Sequence, residues 1–331
     1  MSALTHAVGP SGLTVELETV TPLYTGGIGQ NGEQLHPSGM LGSIRRFSCC
    51  LANALGNPAF EQRFWGRVDG EQRDHHAKAV GLRWDMRGLK AIRLPHSIKC
   101  GRPRGWYFGT AQTRTLILSV IPRGVVSPDD LNLLALALRI QIAHASFGAK
   151  DQFGLGVLNA RVLPPAQPLP THAGGPPPTG VGLHHGFFAR LVFDCPAPTD
   201  WRACLEAGLY WRLHLRNALR GTQPYWRELR HYTMGKLGRY GSAVNVSALY
   251  PLDRHRSAIR LWAQLPHTEP VPGLDVARLA LVRTTLRTAV DTGGGGPTVP
   301  CANPTLEWEA WDPQDSPRIS IWINRLAGVE Q

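Results

Sequence analysis

With 331 residues, 43 % of them hydrophobic, the chain is long for one core and comfortable for two, which excludes a disordered tail. Lys+Arg number 35 against 24 Asp+Glu, a formal charge of +11, and only five of those 35 cations are lysine. An arginine-rich basic surface excludes cationic partners and suits phosphate, hence nucleic acid, although GC-rich codons by themselves also turn lysine into arginine.

Leu13, Val15 and Leu17 alternate along LTVELETV (13–20), a half-buried strand. The loop TPLYTGGIGQNGEQLHP then leads to a helix at about 40–55, whose stripe of Leu41, Ile44, Phe47, Leu51 and Leu55 stops at Gly56. Strands are expected at about 78–84 and 113–121, and a second helix from the Ser127–Pro128 cap to about Ala145. FGAKDQFGLG (147–156) and a strand in VLNARVL close this part. Residues 164–182, PPAQPLPTHAGGPPPTGVG, suit neither helix nor sheet, so they divide the chain into 1–163, a Pro/Gly-rich linker or loop at 164–182, and 183–331.

The second part repeats the order. A strand GFFARLVFDC (186–195) precedes a Trp- and Arg-laden helix at about 200–220, strands near 242–249 and 258–264, a helix at about 275–290 running into GGGG (293–296), and a final strand near 318–323. Two copies of β-α-β-β-α-β predict an α+β protein of two tandem ferredoxin-like, RRM-like domains, each with a glycine-rich loop after its second helix. LNLLALAL (131–138), among the longest apolar runs, is too short for a membrane span, and MSALTHAVGP has no basic-then-apolar order, so neither membrane nor export signal is expected. Six cysteines without a CxxC pair read as reduced thiols of a cytoplasmic protein.

HPSGMLGSIRRF (36–47) opens the first helix with Ser38, Gly39 and Gly42 and then places Arg45 and Arg46 off the core stripe. Free N–H groups of a first turn attract anions, and paired arginines would add to that; a plain cap with two solvated arginines explains the same letters. Gly148, Gly154 and Gly156 surround Lys150, Gln152 and Phe153, so the backbone can approach a ligand while Phe153 stacks on a base; a helix stop with a tight turn is the alternative. KCGRPRGWYFGT (99–110) mixes Lys99, Arg102 and Arg104 with three aromatics, and YTMGKLGRYGS (232–242) carries Lys236 and Arg239 on glycine-rich chain. Both suit a single strand or a neighbouring subunit, and both suit a hairpin. Arginines 212, 216 and 220, four apart, form a ridge if their segment is helical.

TPLYTGG, PSGMLGSIRRF and GAKDQFGLG, with SAVNVSALYPLDRHRSAIRLWAQLP (242–266), resemble the RAMP superfamily of CRISPR effector subunits, and more narrowly the first subunit of the type III-B (Cmr) complex. The matching pieces lie in both parts of the chain. The resemblance implies a non-catalytic subunit that holds the 3′ part of the CRISPR RNA and helps capture complementary single-stranded target RNA. Its expected partners are those RNAs and the backbone and terminal RAMP subunits of the effector; no cofactor or metal is implied.

A RAMP endoribonuclease is the rival reading. Its working groups would be Glu33 or His36, in the loop after the first strand, acting as general base on a phosphodiester. The adjacent His75 and His76 diverge on either helix or strand and make a poor metal pair.

Overall fold

The structure, a computed structural model, describes residues 12–25, 33–66, 77–94, 97–100, 102–105, 109–149, 154–170, 178, 182–220, 224–236, 240–263, 276–291, 304–312, 314 and 318–329; of 97–100, 102–105, 224–226, 236, 240–241 and 276–280 it describes the backbone. In the first half the elements run β1 (Leu13–Thr19), α1 (Pro37–Ala54), β2 (Val80–Asp85), β3 (Leu89–Arg93), β4 (Ser97–Cys100), β5 (Arg102–Gly105), β6 (Thr110–Pro122), α2 (Pro128–His144) and β7 (Leu158–Ala160). Alternation sets the sheet. Val15 and Leu17 on β1 face Leu118 and Leu116 on β6, and all four are buried. The order β2-β6-β1-β7 is antiparallel throughout, with β3 extending β6. Ser127 caps α2 as expected, its hydroxyl accepting from the Asp130 amide at 3.0 Å.

The second half runs β8 (Phe187–Phe193), α3 (Trp201–Ala218), α4 (Pro224–Met234), β9 (Gly235–Lys236), β10 (Tyr240–Ser242), β11 (Val244–Val246), β12 (Tyr250–Pro251), β13 (Ser257–Ala263), α5 (Val276–Asp291), β14 (Thr305–Glu309) and α6 (Ile319–Ala327). Its sheet, β11-β13-β8-β14, repeats the first one strand for strand, since in each the first and third strands of the unit are central. The chain is therefore α+β, with two antiparallel five-stranded sheets in the strand order of the ferredoxin-like unit.

The two sheets differ in what covers them. Every residue of β13 is buried, so the second sheet is packed on both faces. Ile259 and Leu261 join the core that holds Leu205 and Trp211 of α3 and Leu286 of α5. On the other face Phe188 and Trp262 enter the core of the first half, together with Trp322 and Ile323 of α6. Arg260 and Arg190, opposite one another on β13 and β8, face the C-terminal end of α2. Arg260 is 5 % exposed, and its Nη1 donates to the carbonyls of Ile142 at 2.7 Å and Ala145 at 3.2 Å, while Nε donates to the Tyr250 hydroxyl at 3.0 Å. Arg190 donates to the Ala143 carbonyl at 3.3 Å and pairs with Glu307 at 3.5 Å. Two guanidiniums thus satisfy carbonyls that end a helix and meet its negative pole.

Three expectations are corrected. The segment near 318–323 is helix, not strand: ISIWIN alternates like a strand, but the buried set Trp322, Ile323, Leu326 and Ala327 has helical spacing, and Gly328 ends it with φ +61°. The last strand is instead Thr305–Glu309, paired with β8, and a further helix, α4, fills a stretch to which the sequence pattern assigns no element. Cys195 is disulfide-bonded rather than a thiol, whereas Cys49, Cys50 and Cys204 stand outside any disulfide. The Pro/Gly-rich stretch starts pinned to the core: Leu169 is held by Asn324, which donates to its carbonyl at 2.9 Å and accepts from its amide at 2.8 Å. No helix among the described residues is long and apolar enough to cross a membrane.

Burial holds the His144 imidazole at about 4, helped by Arg260 and Arg190 and opposed by the Leu326 carbonyl, which accepts from its Nε2 at 3.0 Å. The unfolded chain binds that proton near 6.5, so His144 contributes its full stability above that pH and loses it as pH falls toward about 4. The urea midpoint is therefore expected to fall between about pH 7 and about pH 4.5, and His144→Asn to flatten that fall by a share worth roughly 3 kcal/mol over the full interval.

Candidate nucleic-acid interface

Three separate stretches meet at the end of β1. The Tyr24 carbonyl accepts from the Ala149 amide at 2.7 Å, the Thr25 hydroxyl accepts from the His36 amide at 2.7 Å, and Gly39, in the first turn of α1, lies against Thr25. The Pro22 carbonyl accepts from the Gly156 amide at 2.9 Å, and Gly156 in turn bonds Phe147 at 2.8 Å. The TPLYT turn, the opening of α1 and the glycine loop therefore form one cluster. Gly148 has φ +85°, and a Cβ there would stand 2.6 Å from the Tyr24 carbonyl oxygen. Gly154 has φ +91° and touches the second half, where the Ala248 amide donates to its carbonyl at 3.1 Å. The loop is thus a joint within the first half and between the halves.

Beside this cluster the halves leave a cleft of about 210 Å³. Gly42, Ser43 and Arg46 of α1 form one side, Gln141, Ser146 and Gly148 at the end of α2 another, and Asn245 of β11 with Trp262 of β13 the third. Gln141, 2 % exposed, donates its Nε2 to the Ser43 hydroxyl and to the Ser146 carbonyl, each at 2.7 Å. The oxygens Oε1 of Gln141, Oγ of Ser146 and Oδ1 of Asn245 are buried and meet no hydrogen-bond partner. Among the described residues no group of three His, Cys, Asp or Glu side chains is placed to hold a metal ion.

The arginine pair divides. Arg45 donates Nε and Nη2 to Glu61 Oε1 at 3.1 and 2.9 Å, whereas Arg46 is exposed and stands on the cleft. Glu61 begins a short π-helical turn, Glu61–Trp65, that also sends Arg63 to Asp130 on α2 at 2.6–2.8 Å and the Trp65 ring N–H to the Ser48 hydroxyl at 3.0 Å. Ser38 is exposed in the first turn of α1, and Glu33 and His36 lie just before it, the Glu33 carbonyl accepting from Gln112 at 2.8 Å.

Lys150, Gln152, Phe153 and Arg239, with His75 and His76, lie outside the described residues, as do the side chains of Lys99, Arg102, Arg104 and Lys236. KCGRPRG does form a hairpin, β4–β5, and it lies against α3 of the second half. On α3 the basic ridge has a structural task. Arg212 donates to the carbonyl of Met234 at 2.5 Å and Arg216 to that of Gly235 at 2.8 Å, so both hold the turn from α4 into β9. Sequence reasoning missed Gln141 and Asn245. The signal for Gln141 was present, an amide set between Ile140 and Ile142 in the apolar run LNLLALALRIQIAH; Asn245 looked like any strand residue.

No protein-family model matches the sequence, and no curated protein does. Among solved structures the chain is similar to apo Cmr1 from Pyrococcus furiosus, with 11% identity over 90% of this chain and 98% of that one and a TM-score of 0.45. It is also similar to a chain of the type III-B Cmr-beta complex bound to cognate target RNA and AMPPnP in the presence of single-stranded DNA, with 10% identity over 85% of this chain and 99% of that one and a TM-score of 0.47. A chain of Cmr-beta bound to cognate target RNA gives 8% identity over 85% and 100%, with a TM-score of 0.46.

The two glycines that open α1 differ in kind. A Cβ on Gly39 would stand 2.9 Å from the Thr25 carbonyl oxygen, whereas one on Gly42 would meet nothing within 4 Å. Gly39→Ala is expected to destabilise the fold by about 1–3 kcal/mol through crowding, and Gly42→Ala to stabilise it by up to ~1 kcal/mol through helix propensity. Thermal melts of the two variants check both signs.

Proposed function

We propose that the chain is a non-catalytic RNA-binding subunit of a type III-B CRISPR (Cmr) ribonucleoprotein effector of the cytoplasm, acting in antiviral defence. It holds the 3′ part of the CRISPR RNA and helps capture complementary single-stranded target RNA, next to the backbone and terminal RAMP subunits. One observation carries the reading. Three of the four stretches that resemble the RAMP superfamily are neighbours around Tyr24 and Thr25: the Ala149 amide of the glycine loop, more than 120 residues on, donates to the Tyr24 carbonyl, and Gly39 of the helix opening lies against Thr25. Three unrelated resemblances would have no reason to share one place.

The chemistry follows from that cluster. The first turn of α1 has no side-chain cap and no acidic residue; Pro37 brings no N–H and the Gly39 N–H donates to the His36 carbonyl at 3.1 Å, so what the turn offers a phosphate is the exposed Ser38 and the positive pole of the helix. Arg46 stands two turns further on, and the sequence adds Lys150 and Phe153 in the loop. A single strand would be gripped by charge along its backbone and by stacking.

Fluorescence anisotropy with an unstructured single-stranded RNA over a range of salt tests this. Arg46→Ala is expected to weaken binding and lower the salt slope by about 0.7, the share of one phosphate contact. The RNA should be recovered intact. Cleavage that disappears in Glu33→Ala or His36→Ala would instead make the protein a nuclease.

A further inference from the structure

Gly42 is a cost that the fold itself does not require. It sits inside α1, where glycine is the weakest ordinary helix former, and a Cβ there would point into open space. It lines the cleft, and leaving it without a side chain keeps that cleft open. Across from it, Gln141 Oε1, Ser146 Oγ and Asn245 Oδ1 are buried without partners, in a structure where the nearby carbonyls of Ile142, Ala143 and Ala145 are all bonded. Such a set awaits donors. It does not suit an anion, because the two amide oxygens, of Gln141 and Asn245, repel one. A metal cation is disfavoured too, with Arg46 on the cleft and no carboxylate among its described lining residues.

We propose that this cleft seats one nucleobase, splayed from a bound single strand, and that it prefers a base carrying an exocyclic amine. The inference rests on the RNA-binding reading above and adds a preference to it. The amine of cytosine, adenine or guanine donates to the amide oxygens of Gln141 and Asn245, and the Ser146 hydroxyl serves as donor or acceptor. Uracil would turn its own carbonyl oxygens toward the same acceptors. The phosphate of the seated nucleotide stays outside, within reach of Arg46. Trp262 supplies an apolar wall in register with Asn245, since the two are directly paired across β13 and β11.

The test compares end-labelled C12 and U12 RNA by anisotropy, two strands that differ at the base edge. The wild-type chain is expected to bind C12 about fivefold or more tighter than U12. Asn245→Ala removes one acceptor, and Gly42→Trp extends into the cleft from a position where an added Cβ meets no atom within 4 Å; each should bring the C12 affinity down to that for U12, with melting temperature as the check on folding. Equal binding of C12 and U12 by the wild-type chain, as water filling the cleft would give, overturns the inference and leaves the RNA reading standing. A preference for C12 that survives in both variants overturns it as well. Failure of the wild-type chain to bind either strand overturns the RNA reading and this inference together.

Discussion

The contact on which the rest of the molecule depends is the docking of the second sheet on the end of α2. Arg260 is buried, and a buried guanidinium is tolerable only where its N–H groups find acceptors. It finds them in two carbonyls that the helix leaves unbonded at its terminus, and in the Tyr250 hydroxyl. Neither side can be altered alone: without Arg260 those carbonyls are buried and bare, and without the helix end the cation has no partner. The glycine loop begins three residues after Ala145, so fixing this helix end also fixes where the loop starts. Tyr24, Thr25, His36 and Gly39 then take their places around it. The segment Ser247–Ala248 is closed in from two sides, by Gly154 of the first half and by Gly208 of α3, each too near its backbone to bear a side chain. The candidate site is therefore a consequence of how the halves join, not a decoration of either half.

Most of the fold was legible because its signals are local. The alternation in LTVELET, the cap at Ser127 and the stripe ending at Gly56 each depend on residues within a turn or two of one another. The failures were of two kinds. ISIWINRLA carries both periods at once, and only its packing on α2, where His144 reaches the Leu326 carbonyl, selects the helix. Partnership at long range was invisible. Nothing in the letters says that Arg45 turns to Glu61 while its neighbour stands on a cleft, or that the ridge of Arg212 and Arg216 is used to hold carbonyls of its own chain. Arginine counts overstate a binding surface whenever some of the arginines serve as internal staples, and in this chain at least four do.

Where a single strand can lie is narrowed by what the two sheets do. RRM-like folds often receive RNA on the open face of the sheet, where aromatics stack on bases. The second sheet has no such face, because α2 and α6 of the common core cover it. The first sheet has one, and its composition is wrong for the purpose. Register places Thr14, Glu16 and Glu18 of β1, Arg83 and Asp85 of β2, and Ile117, Ser119 and Ile121 of β6 on that side. Glu16 and Asp85 there are taken up by Arg161 and Arg87, none of these residues is aromatic, and Trp84, opposite Leu118, belongs to the inner side. What remains is the edge where helix ends and loops gather, with the positive pole of α1, Arg46 and a cleft lined by unbonded acceptors. On the proposed RNA-binding reading, a strand guided there would meet charge first and then, at one nucleotide, the cleft proposed to prefer an amine over a carbonyl.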